Sequence, residues 1–181
     1  MRTAMPAGAD LGCARLEVTL DLPLFEPEES EVGFTNCTAR LMVASEQLGY
    51  AKLHLIGFDD CVNPVDWSEC QGDRHLAELG NAVFVVHDDR SWDVQRHVRA
   101  VLPPEEPDWA VLVSQVDVGH GLAERYPGLA SAVLDAALVG VRRPGVMFAA
   151  LLADEPEHFE GIGFTRCPDG DPRLSVKNIP C

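Results

Sequence analysis

From Ala14 to Leu22 the chain alternates strictly: Leu16, Val18, Leu20 and Leu22 point one way, Arg15, Glu17, Thr19 and Asp21 the other. A period of two predicts a strand with one buried face. Thr38 to Ser45 and Tyr50 to Phe58 are two further runs, separated by the polar EQLG; Gly49 suits a tight turn, so a hairpin is expected. WAVLVSQVDV, Trp109 to Val118, predicts a strand buried on one face, and the nearly all-apolar GVMFAALLA, Gly145 to Ala153, predicts a central strand. Phe164 to Cys167 and Arg173 to Lys177 flank PDGDP, where Asp-Gly signals a second hairpin.

Helical spacing is rarer. Ala130, Val133, Leu134, Ala137, Leu138 and Val141 predict a helix over Leu129 to Val141, ended by Arg142, Arg143 and Pro144. Leu76, Leu79 and Val83 mark one over Arg74 to Val83, and Val94, Val98 and Leu102 one over Ser91 to Leu102. A short helix is expected from an N-cap at Asp154, with Glu155 and Pro156 following. Residues Pro23 to Asn36, Asp59 to Asp73 and Pro103 to Asp108 read as loops. With no repeat and no shift in composition, residues 1–181 form one domain. Its expected class is α/β in the α+β sense: a mixed, mostly antiparallel sheet with flanking helices.

The net charge of −15 argues against a nucleic-acid partner and against an anionic membrane surface, both of which need clustered Lys and Arg. No segment approaches the ~20 apolar residues of a membrane span, and MRTAMPAGADLG lacks the apolar stretch of a secretion signal. A cytoplasmic location follows, with the 6 cysteines reduced. No CxxC or CxxH pair marks a zinc site.

The candidate chemistry lies in ERYPGLASAV, Glu124 to Val133, between a predicted strand and the longest predicted helix. A helix N-terminus exposes unpaired N–H groups and a partial positive charge, which together bind anions. Gly128 and Ala130 let backbone approach an oxygen closely, and Arg125 adds a charge suited to bidentate contact. Arg125-x-x-Gly128-x-Ala130 has the composition of a pyrophosphate cradle.

That spacing resembles the Q/R-x-x-G-x-G/A coenzyme A motif of the GNAT N-acetyltransferase superfamily. The context is similar as well: a strand before the motif, a long helix opened by it, a buried strand after. HFEGIGF, His158 to Phe164, aligns without a gap to the family's FYEKLGF-like closing segment, and a final hairpin follows. The resemblance covers residues 109–177. It implies a GNAT-like acyl-CoA N-acyltransferase fold whose two central parallel strands splay into a cleft. Acetyl-CoA would be co-substrate, its pyrophosphate on Arg125, Tyr126, Gly128, Leu129, Ala130 and Ser131, its pantetheine paired with backbone at Val116 and Val118. An amine, on a small molecule or a protein, would attack the thioester directly without a metal, with Asp117 or His120 as base. Pairing of copies through the last strands, common in the family, would make a homodimer.

Two residues depart from the family pattern. Phe159 stands where the family often has a Tyr that protonates the leaving thiolate, and Pro127 lacks an N–H. They motivate a second reading, a catalytically inactive GNAT-like binding or regulatory module. The family's helix pair between the first two strands is also missing from residues 23–36, and helical material comes later. Gln115 is a further candidate base or substrate ligand. His158 reads as a helix-face residue, Cys167 and Cys181 as inert thiols, and Trp67 and Trp92 as packing groups, with the lining of an acceptor pocket as the alternative.

Overall fold

The computed structural model describes residues 14–21, 34–43, 45–58 and 63–180. Its strands are β1 (Ala14–Asp21), β2 (Phe34–Val43), β3 (Glu46–Gly57), β4 (Phe84–Val86), β5 (Trp92–Val94), β6 (Trp109–Val118), β7 (Met147–Leu152), β8 (Thr165–Arg166) and β9 (Leu174–Ile179). The helices are α1 (Pro64–Cys70), α2 (Arg74–Val83), α3 (Arg96–Arg99), α4 (His120–Arg125), α5 (Leu129–Gly140) and α6 (Glu157–Glu160). A 7-stranded sheet runs β1-β2-β3-β6-β7-β9-β8, and β4 pairs with β5 in a separate ribbon. Every neighbouring pair in the large sheet is antiparallel except β6–β7, which is parallel. The class is therefore α+β, with a mixed, mostly antiparallel sheet and flanking helices.

Each face of the sheet carries its own core. Leu53, Leu55, Val111, Val113, Ala149 and Leu151 pack with Val133, Leu134, Ala137 and Leu138 of α5. On the other face Ile56, Ala110, Leu112, Phe148 and Ala150 pack with Leu76, Leu79 and Val83 of α2. β6 and β7 supply apolar residues to both cores, which is why MFAALL is buried at every position.

One irregularity positions the site. Along β3–β6, Leu53 faces Val113 but Lys52 faces Gln115, so Ser114 is an extra residue in β6, a β-bulge. The bulge resets the alternation: Val111 and Val113 belong to the α5-side core, and Val116 and Val118, not Gln115 and Asp117, rejoin it. The parallel ladder to β7 ends at the same level, its last pair being Val113 and Leu151, while β6 continues to Val118.

Several expectations need correction. The β2–β3 turn lies between Val43 and Glu46, and Gly49 is inside β3 opposite Val118. What Gly49 supplies is clearance, because a side chain there would meet the neighbouring strand. Asp59 to Asp73 is not all loop: Asn63 caps α1 by accepting from the Val65 amide, and Pro64 takes the first helical turn. Ser91 to Leu102 is not one helix but β5 followed by the single turn α3, since its first apolar positions pair with β4. Asp154 does not cap α6; Pro156 occupies that position and no side chain caps the turn. Between β6 and α5 the chain forms the short helix α4. The helix pair α1–α2 lies between β3 and β6, with α2 in the later helical stretch read from sequence, and most of Pro23 to Asn36 falls outside the described residues. Among the described residues no helix is long and apolar enough to cross a membrane.

Gly49→Ala tests the strand contact. Its Cβ would sit 2.7 Å from the Asp117 carbonyl oxygen and 2.8 Å from Val118 Cγ1, so urea unfolding should show a loss of about 1–3 kcal/mol. Gly121→Ala, on exposed α4 with open space around it, should be neutral or stabilising by up to about 1 kcal/mol.

Candidate functional site

Where β6 and β7 part, a cleft of about 460 Å³ opens. Its walls are Val113, Ser114, Gln115 and Val116 of β6, Leu151 to Ala153 at the end of β7, Asp73 and His75 at the start of α2, and Phe159 of α6. Beyond Val113 the β7-side edge of β6 has no strand partner among the described residues. Its unpaired N–H and C=O groups are strong hydrogen-bonding groups that demand a partner, water or ligand.

Behind this wall a chain of hydrogen bonds crosses three strands and ends at Ser114. Asn36 Oδ1 of β2 lies 2.7 Å from His54 Nδ1 of β3, and His54 Nε2 lies 2.8 Å from Ser114 Oγ at the bulge. An amide oxygen only accepts, so Nδ1 carries the imidazole hydrogen and Nε2 accepts from the serine hydroxyl. Trp67 of α1 meets the His54 ring edge-on at 5.5 Å and is itself stacked on Phe34 at 4.3 Å. Burial under these rings pushes the His54 pKa down to about 4, with Lys52 adding to the effect and Asp73 opposing it. The ring is therefore neutral at physiological pH.

The α4–α5 junction is built as a turn. Leu129 N–H donates to the Tyr126 carbonyl at 3.1 Å, and Gly128 has φ 89° and ψ 0°. This is a type II turn with Pro127 at its second position and Gly128 at its third, where positive φ is required. Turn chemistry alone accounts for the Pro-Gly pair. What it leaves over is anion-binding capacity: α5 has no side-chain cap. The amides of Gly128, Ala130 and Ser131 meet no acceptor among the described residues, and a Cβ built on Gly128 would meet nothing within 4 Å.

The other anticipated ligands divide. Tyr126 and Leu129 have spent their amides, on Leu122 and Tyr126 carbonyls. The Ser131 hydroxyl donates to the His158 carbonyl, tying α5 to α6, so only its amide is available. Arg125 is exposed, has no carboxylate partner among the described residues, and stacks over the Tyr126 ring at 5.4 Å. Val116 lines the cleft, whereas Val118 is buried at the end of β6. Asp117 is exposed opposite Tyr50, whose hydroxyl pKa is raised by burial and by that carboxylate. It does not line the cleft. His120 opens α4, and its side chain lies outside the described residues. Gln115 lines the cleft, and Phe159 does too, edge-on to Phe164. His158 pairs with Glu155 on the surface. Burial raises the Cys167 thiol to about 11, which makes it inert at neutral pH; Cys181 is outside the described residues. Trp67 and Trp92 pack, as expected from sequence, the latter against Phe58 and Phe84.

Asn36, His54 and Ser114 carried almost no sequence signal. They are separated by 18 and 60 residues and meet only through strand pairing. The one available hint was His54, a polar residue in the otherwise apolar run LHLIG. No protein-family model matches the chain, and no curated protein sequence matches it.

The depressed His54 pKa predicts an acid-sensitive fold. The folded chain binds that proton more weakly than the unfolded chain, whose value is about 6.5, so stability is full above pH 6.5 and falls towards pH 4. The loss should reach up to about 3 kcal/mol. His54→Gln should lack this component, measured as the difference between the two proteins in urea unfolding at each pH.

Proposed function

We propose that the protein binds an acyl-CoA in the β6–β7 cleft and transfers the acyl group to an amine, as the GNAT-like motif order implies. The observation that carries this reading is the parting of the central parallel strands beside a helix N-terminus whose amides are unspent. The diphosphate would meet the amides of Gly128, Ala130 and Ser131, with Arg125 closing over it. The pantetheine amides would pair with the unpartnered edge of β6 from Ser114 to Val118, which would also hold the thioester carbonyl. The amine nitrogen then attacks that carbon; the C–N bond forms, the C–S bond breaks to release coenzyme A as its thiolate, and the nitrogen's proton passes to water, since Asp117 does not line the cleft. Positioning and a polarised carbonyl supply the rate.

One observation favours the second reading, a coenzyme A-binding module without catalysis. Phe159 occupies the cleft wall and offers no proton to a leaving thiolate, and a missing general acid costs typically 10²–10⁴-fold.

Calorimetry with acetyl-CoA tests the binding both readings share. Wild type should bind at submillimolar concentration, and Arg125→Ala should weaken binding by about 10- to 100-fold. Gly128→Trp, strained at positive φ and filling the open cradle, should abolish it. Absence of heat in wild type, or unchanged affinity in Gly128→Trp, would overturn the assignment. Amine-dependent thiol release separates transferase from module.

A further inference from the structure

The Asn36 amide oxygen faces the imidazole, and that orientation sets the polarity of the hydrogen-bond chain. Asn36 holds the imidazole hydrogen on Nδ1, so Nε2 accepts, and the Ser114 hydroxyl has one direction in which to point. With its hydrogen committed to His54, Ser114 faces any ligand as an acceptor only. No other partner of Oγ is present among the described residues, and Ser114 lines the cleft although only 6% exposed. A ligand group meeting it must therefore donate.

Asp73, on another wall of the same cleft, adds the charge. Its Oδ1 caps α2, accepting from the His75 and Leu76 amides at 2.9 and 3.2 Å. Oδ2 has no partner among the described residues. Asp73 lies near enough to His54 to bias its protonation, against Lys52. The cleft thus offers a fixed neutral acceptor and a carboxylate, the pair of groups that suits an N–H-bearing cation.

We infer that Ser114, oriented by His54 and Asn36, and Asp73 form a recognition site for a primary alkylammonium group in the β6–β7 cleft. This names the amine of the acyl-transfer reading and rests on that reading for the amine's fate, but amine binding is measurable without coenzyme A. Asn36 and His54 are positioning residues, because they act through Ser114. A quaternary ammonium keeps the charge but has no N–H to donate, and an alcohol keeps a donor but has no charge; both are disfavoured.

The test is an NMR titration of the ¹⁵N-labelled chain with n-butylamine hydrochloride, butyltrimethylammonium and 1-butanol. Butylamine should shift the amides of Val113 to Val116. Butyltrimethylammonium and 1-butanol should each bind about tenfold more weakly or worse. Ser114→Ala should lose about tenfold in butylamine affinity, and Ser114→Thr, which keeps the hydroxyl, should recover most of it. Asp73→Asn retains the helix cap and should weaken butylamine while leaving 1-butanol unchanged. Asn36→Asp favours the protonated imidazole, which would donate to Ser114 and reverse its polarity. Butylamine affinity in that variant should fall on acidification from pH 8 to 6, where wild type stays flat.

Equal binding of butylamine and butyltrimethylammonium, no shifts at Val113 to Val116, or a Ser114→Ala variant that is folded by its amide spectrum and binds butylamine normally would each overturn the inference. Calorimetry with coenzyme A separates the two proposals. Butylamine binding without coenzyme A binding keeps the ammonium site and removes the acyl donor; the reverse result keeps the donor and removes this site.

Discussion

Between β3 and β6 the hydrogen-bond ladder carries one residue too many, Ser114, and the candidate site depends on that insertion. A bulge bends its strand and increases its twist. β6 stays with β3 through the bulge and on to Val118, whereas its parallel pairing with β7 stops at Val113 and Leu151. A sheet otherwise paired edge to edge thus gains an opening at its centre. The same insertion turns a serine into the cleft wall and leaves a stretch of strand edge needing partners.

The two cores explain why the opening survives. α5 covers one face through Val133, Leu134, Ala137 and Leu138, and α2 the other through Leu76, Leu79 and Val83. Both helices grip the part of β6–β7 below the bulge, where Ala110 to Val113 and Phe148 to Leu151 are buried. Above it the walls are the start of α2 and Phe159 rather than another strand. Hydrophobic burial thus fixes the lower half of the joint and leaves the upper half to polar chemistry.

The polar chemistry falls into two places with different strengths. At the α4–α5 junction the Pro127-Gly128 pair is already required by a type II turn, so the case for an anion there rests on the uncapped amides and the open space. In the cleft wall, the Asn36–His54–Ser114 chain has no turn or cap to account for it. At a partly buried position a half-satisfied histidine costs more than a leucine would. Here both ring nitrogens are satisfied, and the ring sets the direction of a hydroxyl at the cleft.

Periodicity determined the elements whose environment is uniform along their length. β1, β6, β7, α2, α5 and the final hairpin all follow from alternation, an unbroken apolar run, helical spacing or turn residues; α2 and α5 each meet one core, and β6 and β7 are buried between two. It failed where local chemistry competes with pattern. Asn63-Pro64 was a legible cap that a run of Cys, Asp and Trp disguised, and Val94 and Val98 share helical spacing although β5 and α3 divide them. The residues of the α4–α5 junction stand together in the chain and could be singled out from it. Only the tertiary structure decided which of their amides are spent, that β6 bulges at Ser114, and that Asn36, His54 and Ser114 meet. Strand register is a long-range property: a shift of one residue would carry His54 to the opposite face, and nothing local to any of the three residues records it.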